Sequence, residues 1–299
     1  MSNDSSRLVL GTVQLGMPYG VANRAGKPDA AAATAVVDAA WRGGIRYFDT
    51  AQAYGDSETV LGKIFQTLKI SDQVKVISKL PPDIDGADQV AVFQSLEKSV
   101  EHLRVPVLYG LMLHREEMLD NWNKGLGEAL AGFKASGRAQ HIGVSVYTPE
   151  RAFQALETKG IDLIQIPASL FDRRFEKSGL ASQADRCGCE LHIRSVFLQG
   201  LLLMPPEKLP ISMCFAKPAL ARFAELAVET GLTQQQAALL YIRERWPQAH
   251  VLFGAENAEQ VHSNIACWQK PVDPAVFDKF NEALSNVDEK IIRPDRWPK

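Results

Sequence analysis

The sequence predicts a closed (β/α)8 barrel, and three observations carry that prediction. Eight short β-like runs alternate with segments of helical periodicity along the 299 residues, and strands that alternate with helices imply a parallel sheet. An open doubly wound sheet would announce its dinucleotide site with G-x-G-x-x-G after an early strand, and no such fingerprint is present. No Pro/Gly/Ser linker or shift of composition divides the chain, and barrels of this type commonly need about 250 residues as one domain. One domain over residues 1–299 is the expectation.

Taken in order, the strand candidates are "RLVLGTV" (7–13), "IRYFDT" (45–50), "VKVISKL" (74–80), "VLYGLMLH" (107–114), "HIGVSV" (141–146), "LIQIPA" (163–168), "LHIRSV" (191–196) and "HVLF" (250–253). Between them, apolar residues recur at helical spacing in 30–44, 89–103, 122–137 and 219–231. Ser57 and Glu58 open a further helix, as its cap and first-turn acid. Gly43, Gly137, Gly160 and Gly231 stand where a helix end favours glycine.

A chain that is 46% apolar with a net charge of −2 can bury a full core, and it is neither disordered nor drawn to polyanions. The opening "MSNDSSR" lacks an apolar leader core, and no run of about 18 apolar residues occurs. A cytoplasmic location is expected, with no nucleic-acid or membrane partner; the oligomeric state is left open. Cys187, Cys189, Cys214 and Cys267 offer a C-x-C pair but no zinc spacing. They read as reduced thiols, and no metal is expected. The P-loop, the G-x-S-x-G elbow and the H-E-x-x-H helix are absent.

Chemistry in such a barrel sits at the C-terminal ends of the strands. The polar residues that end the apolar runs are Asp49, Lys79, His114, Ser145, Gln165 and Ser195. The first three are 30 and 35 residues apart, about one βα unit each, so neighbouring strands would deliver an acid, a base and an imidazole to one rim. Tyr54, on the loop after Asp49, can lean over them. Each has a plain structural alternative: a turn for Asp49, a solvated ammonium for Lys79, a satisfied core imidazole for His114, packing for Tyr54. Four such coincidences at one rim argue for a site.

These residues lie within blocks that resemble the aldo-keto reductases, NAD(P)H-dependent (β/α)8 enzymes: "LGTVQLG" (10–16), "FDTAQAYGDSETVLG" (48–62), "SKL" (78–80), "LMLH" (111–114), "IGVS" (142–145), "DLIQIPASL" (162–170), "SVFLQGLL" (195–202) and "FGAENAEQVHSN" (253–264). The block at 48–62 is the specific one; the others support it by order and spacing. The resemblance maps the family's Asp, Tyr, Lys and His onto Asp49, Tyr54, Lys79 and His114. It implies reduction of an aldehyde or ketone on a small-molecule carbonyl substrate, or the reverse.

Charge that develops on a carbonyl oxygen must receive a hydrogen bond and then a proton. A phenol is a weak acid, with an ordinary pKa of about 10. Lys79 is expected to lower it, Asp49 to hold Lys79, and His114 to orient the substrate. A regulator that binds NAD(P)H and acts through a protein partner is the alternative. A subunit-like interaction module has no sequence feature in its favour.

For the cofactor, the resemblance implies that Ser145 and Gln165 bond the nicotinamide carboxamide and that Gly11 and Thr12 line the same end. Val146 stands where the family usually has asparagine, and Arg194 where it often has a stacking aromatic. Ser195, Gln199 and Gly200 resemble the loop around the pyrophosphate; Gln260 and Asn264 resemble the adenosine contacts. Gly254 and Glu256 open that last segment, which has no Lys or Arg. Family habit favours NADPH, whereas Glu256 favours NADH by repelling a 2′-phosphate and accepting from a ribose hydroxyl. Met17, Tyr19, Phe171, Phe197 and Trp268 are the specificity candidates.

Overall fold

The computed structural model describes residues 4–298, so residues 1–3 and 299 of the expected domain lie outside it. The strands are β1 (Leu8–Gly11), β2 (Tyr47–Asp49), β3 (Lys75–Lys79), β4 (Leu108–Leu113), β5 (Ala139–Ser145), β6 (Leu163–Pro167), β7 (Glu190–Arg194) and β8 (His250–Gly254). They pair in parallel in chain order, and β8 returns to β1 to close the barrel. Closure leaves no sheet edge to be satisfied by another chain. Every expected strand is present, most of them shorter than their apolar runs because the ladders stop as the chain turns out at the rim. His114 and Ser195 fall just past β4 and β7, and Gln165 sits inside β6 rather than at its end.

The helices are α1 (Val13–Gly16), α2 (Ala30–Arg42), α3 (Ser57–Leu68), α4 (Gln89–Leu103), α5 (Leu126–Ala135), α6 (Pro149–Glu157), α7 (Leu180–Cys187), α8 (Lys217–Glu229), α9 (Gln234–Arg245), α10 (Ala258–Gln269), α11 (Val276–Ala283) and α12 (Glu289–Ile292). Side-chain caps start several of them: Asp29 accepts from Ala32 N, Asp88 from Ala91 N, Thr148 from Arg151 N and Asn257 from Gln260 N. Thr233 and Gln236 form a reciprocal capping box on α9.

Three local expectations are corrected. The helix expected over 122–137 is broken: a 3₁₀ stretch, Glu116–Lys124, ends at Gly125, whose φ of +115° prevents continuation before α5. Gly43 takes an ordinary φ of −74°, and it is Gly44, at +91°, that turns the chain. Ser57 does not cap α3. It is the first helical residue, after Asp56, and its hydroxyl is turned into the protein.

Among the described residues, two apolar clusters make the core. The larger lies between the strands' outward faces and the helices, with Phe48, Phe65, Val76, Phe133, Ile164 and Trp268 among its members. A separate inner cluster contains Val9, Tyr47, Ile77, Tyr109, Met112, Leu163 and Leu252. No helix among the described residues is long and apolar enough to cross a membrane.

Candidate active site

Register builds the centre of the site. Asp49 pairs with Ile77, so Lys79, two residues further along β3 and on the same face, overhangs it. The Lys79 ammonium donates to Asp49 Oδ1 at 2.6 Å and to the Thr50 carbonyl at 2.9 Å, with both side chains buried. Asp49 Oδ2 accepts from Gln165 Nε2 at 2.8 Å, so β2, β3 and β6 are tied through one carboxylate. Lys79 is not solvated and Gln165 does not face the surface.

Tyr54 is placed by close backbone packing. A Cβ on Gly16 would lie 1.7 Å from the Tyr54 carbonyl oxygen, and one on Gly55 would lie 2.4 Å from the Gly16 carbonyl oxygen. Two glycines are therefore required for the turn after β1 to hold the Tyr54 loop. Ser57 locks the same corner: its hydroxyl donates to the Thr12 carbonyl at 2.9 Å and lies 3.0 Å from the hydroxyls of both Thr12 and Thr50. Glu58 is a buried first-turn acid that accepts from Ser78 Oγ at 2.5 Å. The pair thus fastens α3 to β1 and β3, a structural role reached without side-chain capping.

The Lys79 ammonium lies 5.2 Å from the Tyr54 ring centroid, and the His114 ring packs edge-on at 5.6 Å. Burial, and secondarily the Asp49 charge, push the Tyr54 phenol above its ordinary value. This reverses the expected lowering, because the Lys79 charge is spent on Asp49 while desolvation acts on the phenol directly. Burial also lowers the Lys79 ammonium against the opposing pull of Asp49. His114 is brought down to about 3, chiefly by burial and then by the Lys79 charge. Its imidazole is neutral near pH 7, and its Nδ1 is buried with no hydrogen-bond partner among the described residues.

These four residues lie in the wall of a cavity of about 1120 Å³. Every residue singled out for the cofactor lines the same space: Gly11, Thr12, Ser145, Gln165, Arg194, Ser195, Gln199, Gly200, Gly254, Glu256, Gln260 and Asn264. Arg194 stacks on the Tyr147 ring at 4.2 Å and donates at 3.3 Å to Ser145 Oγ, Ser195 Oγ and the Val146 carbonyl. The loop after β7 is strained in the left-handed region at Ser195, Leu198 and Gln199, with φ of +66°, +45° and +56°. Such strain concentrates at functional sites. At the far end, Gln235 donates to Asn264 Oδ1 at 2.7 Å and accepts from Ser263 Oγ at 2.9 Å. The Glu256 amide donates to Gln260 Oε1 at 2.8 Å.

The specificity candidates divide. Tyr19 and Phe197 line the cavity. Trp268 is fully buried beneath Arg7, Phe171 packs on Phe223, and Met17 is exposed away from the cavity wall. Tyr147, Arg24 and Lys208 line the cavity although sequence reasoning passed over them. Tyr147 follows a strand end by two residues and could have been found; Arg24 stands on irregular chain and Lys208 ends a three-residue 3₁₀ turn, Pro206–Lys208, neither long enough for a period to mark orientation.

The cavity suits the dinucleotide implied by the resemblance. It exceeds the about 300–1,000 Å³ of sites for drug-sized ligands, and it is dotted with amide and hydroxyl donors. Gln14 Oε1, in its wall, is buried with no partner among the described residues. Gly254 leaves room for that side chain, since a Cβ there would lie 2.3 Å from Gln14 Nε2.

Known proteins share this architecture. The chain is 26% identical over 314 residues to pyridoxal 4-dehydrogenase of Microbacterium luteolum, with 89% of this chain and 90% of the relative covered. The structure of an aldo-keto reductase from Bacillus halodurans superposes with a TM-score of 0.76 at 19% identity, covering 95% of this chain and 94% of the other. That of a glycerol dehydrogenase from Gluconobacter oxydans gives 0.72 at 21%, covering 96% and 91%. At those identities the two structures establish the fold. The sequence profile of the aldo/keto reductase family matches residues 7–285, and the chain therefore belongs to that family of NAD(P)H-dependent oxidoreductases.

Proposed function

We propose that the protein reduces an aldehyde or ketone to an alcohol, or runs the reverse reaction, with Tyr54 as the general acid. The observation that carries this reading is the meeting of Tyr54, Lys79, Asp49 and His114 at one part of a cavity large enough for a dinucleotide and a small carbonyl compound. A nicotinamide cofactor, when bound, would supply the hydride. The chain's own task is to meet the charge that then grows on the carbonyl oxygen. Tyr54, held protonated by burial, donates to that oxygen and gives up its proton. Neutral His114 offers a second contact that orients the carbonyl. Lys79 is a positioning residue whose charge matters most as the phenol loses its proton, and Asp49 keeps that ammonium in place.

In the same reading, Ser145 and Gln165 would hold the carboxamide, Arg194 would flank the nicotinamide, and Gly11 and Thr12 would line its end. Ser195, Gln199 and Gly200 would surround the pyrophosphate; Gly254, Glu256, Gln260 and Asn264 would meet the adenosine. Glu256 is half-buried at the cavity wall and Lys208 also lines it, so the two oppose each other toward a 2′-phosphate. NADPH is then preferred over NADH by less than about tenfold, about 1.4 kcal/mol, or NADH is preferred outright. Glu256→Arg should shift kcat/KM toward NADPH; a hundredfold NADPH preference untouched by the substitution contradicts the assignment. The cytoplasmic setting belongs to this proposal too, and the four unpaired thiols suit a reducing compartment.

The experiment is Tyr54→Phe assayed on a panel of aldehydes and ketones. Reduction should fall by at least about a hundredfold while NAD(P)H affinity, followed by fluorescence, stays near that of the parent. Near-parental turnover removes Tyr54 as the acid. A parent chain that bound NAD(P)H but reduced no member of the panel would favour the regulator reading.

A further inference from the structure

The mouth of the barrel opposite the cavity holds a second cluster that the chemistry above does not use. Glu190 and His192 on β7 and His250 on β8 each offer a ligand atom, and these atoms lie within 4.8 Å of one another. His192 is fully buried, and neither ring nitrogen has a hydrogen-bond partner among the described residues. Its Nε2 stands 3.6 Å from Glu190 Oε2, an ion-pair separation too long for a hydrogen bond. His250 Nδ1 is likewise buried and unpartnered. The two imidazoles stack with centroids 4.7 Å apart. Buried polar atoms normally find partners, so three vacant imidazole nitrogens beside one carboxylate call for an occupant.

We propose that Glu190, His192 and His250 bind a divalent transition cation of the zinc type, which braces β7 against β8. Two imidazoles and a carboxylate are a donor set that suits zinc, with a water in the fourth position. Tetrahedral bonds of about 2.0–2.1 Å require ligand atoms about 3.3 Å apart, so ligand atoms now within 4.8 Å of one another close by up to about 1.5 Å on binding. The Glu190 carboxylate is already oriented: the Tyr109 hydroxyl lies 2.6 and 2.8 Å from its two oxygens, the outer-shell contact that ligating carboxylates use. Lys75 shares this mouth, but its ammonium is engaged by the Tyr47 hydroxyl at 2.9 Å and by the Tyr47 and Tyr109 rings. The brace falls on a short seam, where β7 and β8 pair through His192 with His250 and Ile193 with Val251. No metal was expected from the sequence because the histidines are 58 positions apart, without ligand spacing; the barrel's closure is what brings them together.

The test uses the full chain with Cys187, Cys189 and Cys214 changed to serine, so that thiolates do not compete. After chelator treatment it is titrated with zinc sulfate by calorimetry, and melted with and without zinc. One zinc per chain is expected, with a rise in Tm. Glu190→Gln and His250→Gln should each weaken binding by at least about tenfold and abolish the zinc-dependent rise while remaining folded. Carbonyl turnover should be the same with and without zinc. Failure to take up zinc, an unchanged Tm in the parent, or uptake and Tm shifts unchanged in both variants overturns the proposal.

Discussion

One ammonium in an apolar barrel, that of Lys79, is held by a carboxylate and a main-chain carbonyl. Removing one partner of a buried pair leaves the other charge uncompensated, at a cost of about 3–5 kcal/mol. Lys79→Met should therefore lower Tm as well as turnover, and the double variant Lys79→Met/Asp49→Leu should recover much of the stability but none of the activity. Denaturant unfolding of both, beside kcat, checks this; full stability of the single variant would mean that the pair does not hold the fold. Asp49, Lys79 and His114 were legible because each closes an apolar run and a barrel sends strand ends to one rim. The direction of the Tyr54 shift was not, since it depends on how deeply the ring is enclosed and on a lysine already committed elsewhere. Neither quantity is written in residue type or spacing.

At the scale of elements, the corner joining β1, β2 and α3 decides where Tyr54 points. Gly16→Ala places a methyl group against the Tyr54 carbonyl, so kcat/KM should drop by at least about tenfold, as even an ångström of misplacement can cost more. Gly132→Ala is the control, because nothing lies within 4 Å of its Cβ and it sits in α5. There stability should rise by about 0.5–1 kcal/mol with activity unchanged. Equal activity in the two variants would show that the close packing does not set the tyrosine. Strand positions could be read because apolar runs are brief and bounded. The break at Gly125 and the inward turn of Ser57 could not: a helical period continues across a glycine, and a hydroxyl at a helix start serves as cap or as buried tie depending on what packs over it.

For the whole molecule, a neutral buried imidazole links stability to pH. His114 has a folded value of about 3 against 6.5 unfolded, so between those values the unfolded chain binds the extra proton. The His114 contribution to stability is fully present above about pH 6.5 and is lost as pH falls toward 3. Melts from pH 7 to 4 should decline, and more shallowly in His114→Gln; identical slopes would mean the ring is protonated in the fold. The closed barrel was legible from eight strands alternating with helices and from the missing dinucleotide fingerprint, whereas the cavity's extent was not, because Arg24, Tyr147 and Lys208 enter it from connections outside the regular strands and α-helices. Chain order also separates the two proposed tasks. Asp49, Tyr54, Lys79 and His114 all precede β5, while from Ser145 to Asn264 the chain supplies residues proposed for the dinucleotide, with only Gly11 and Thr12 outside that span. A single genetic crossover in the segment between β4 and β5 would thus hand a descendant a new electron carrier together with its ancestor's proton donor, and the graft would have to keep the hydrogen bond from Gln165 Nε2 to Asp49 Oδ2 that ties the two sets of residues together.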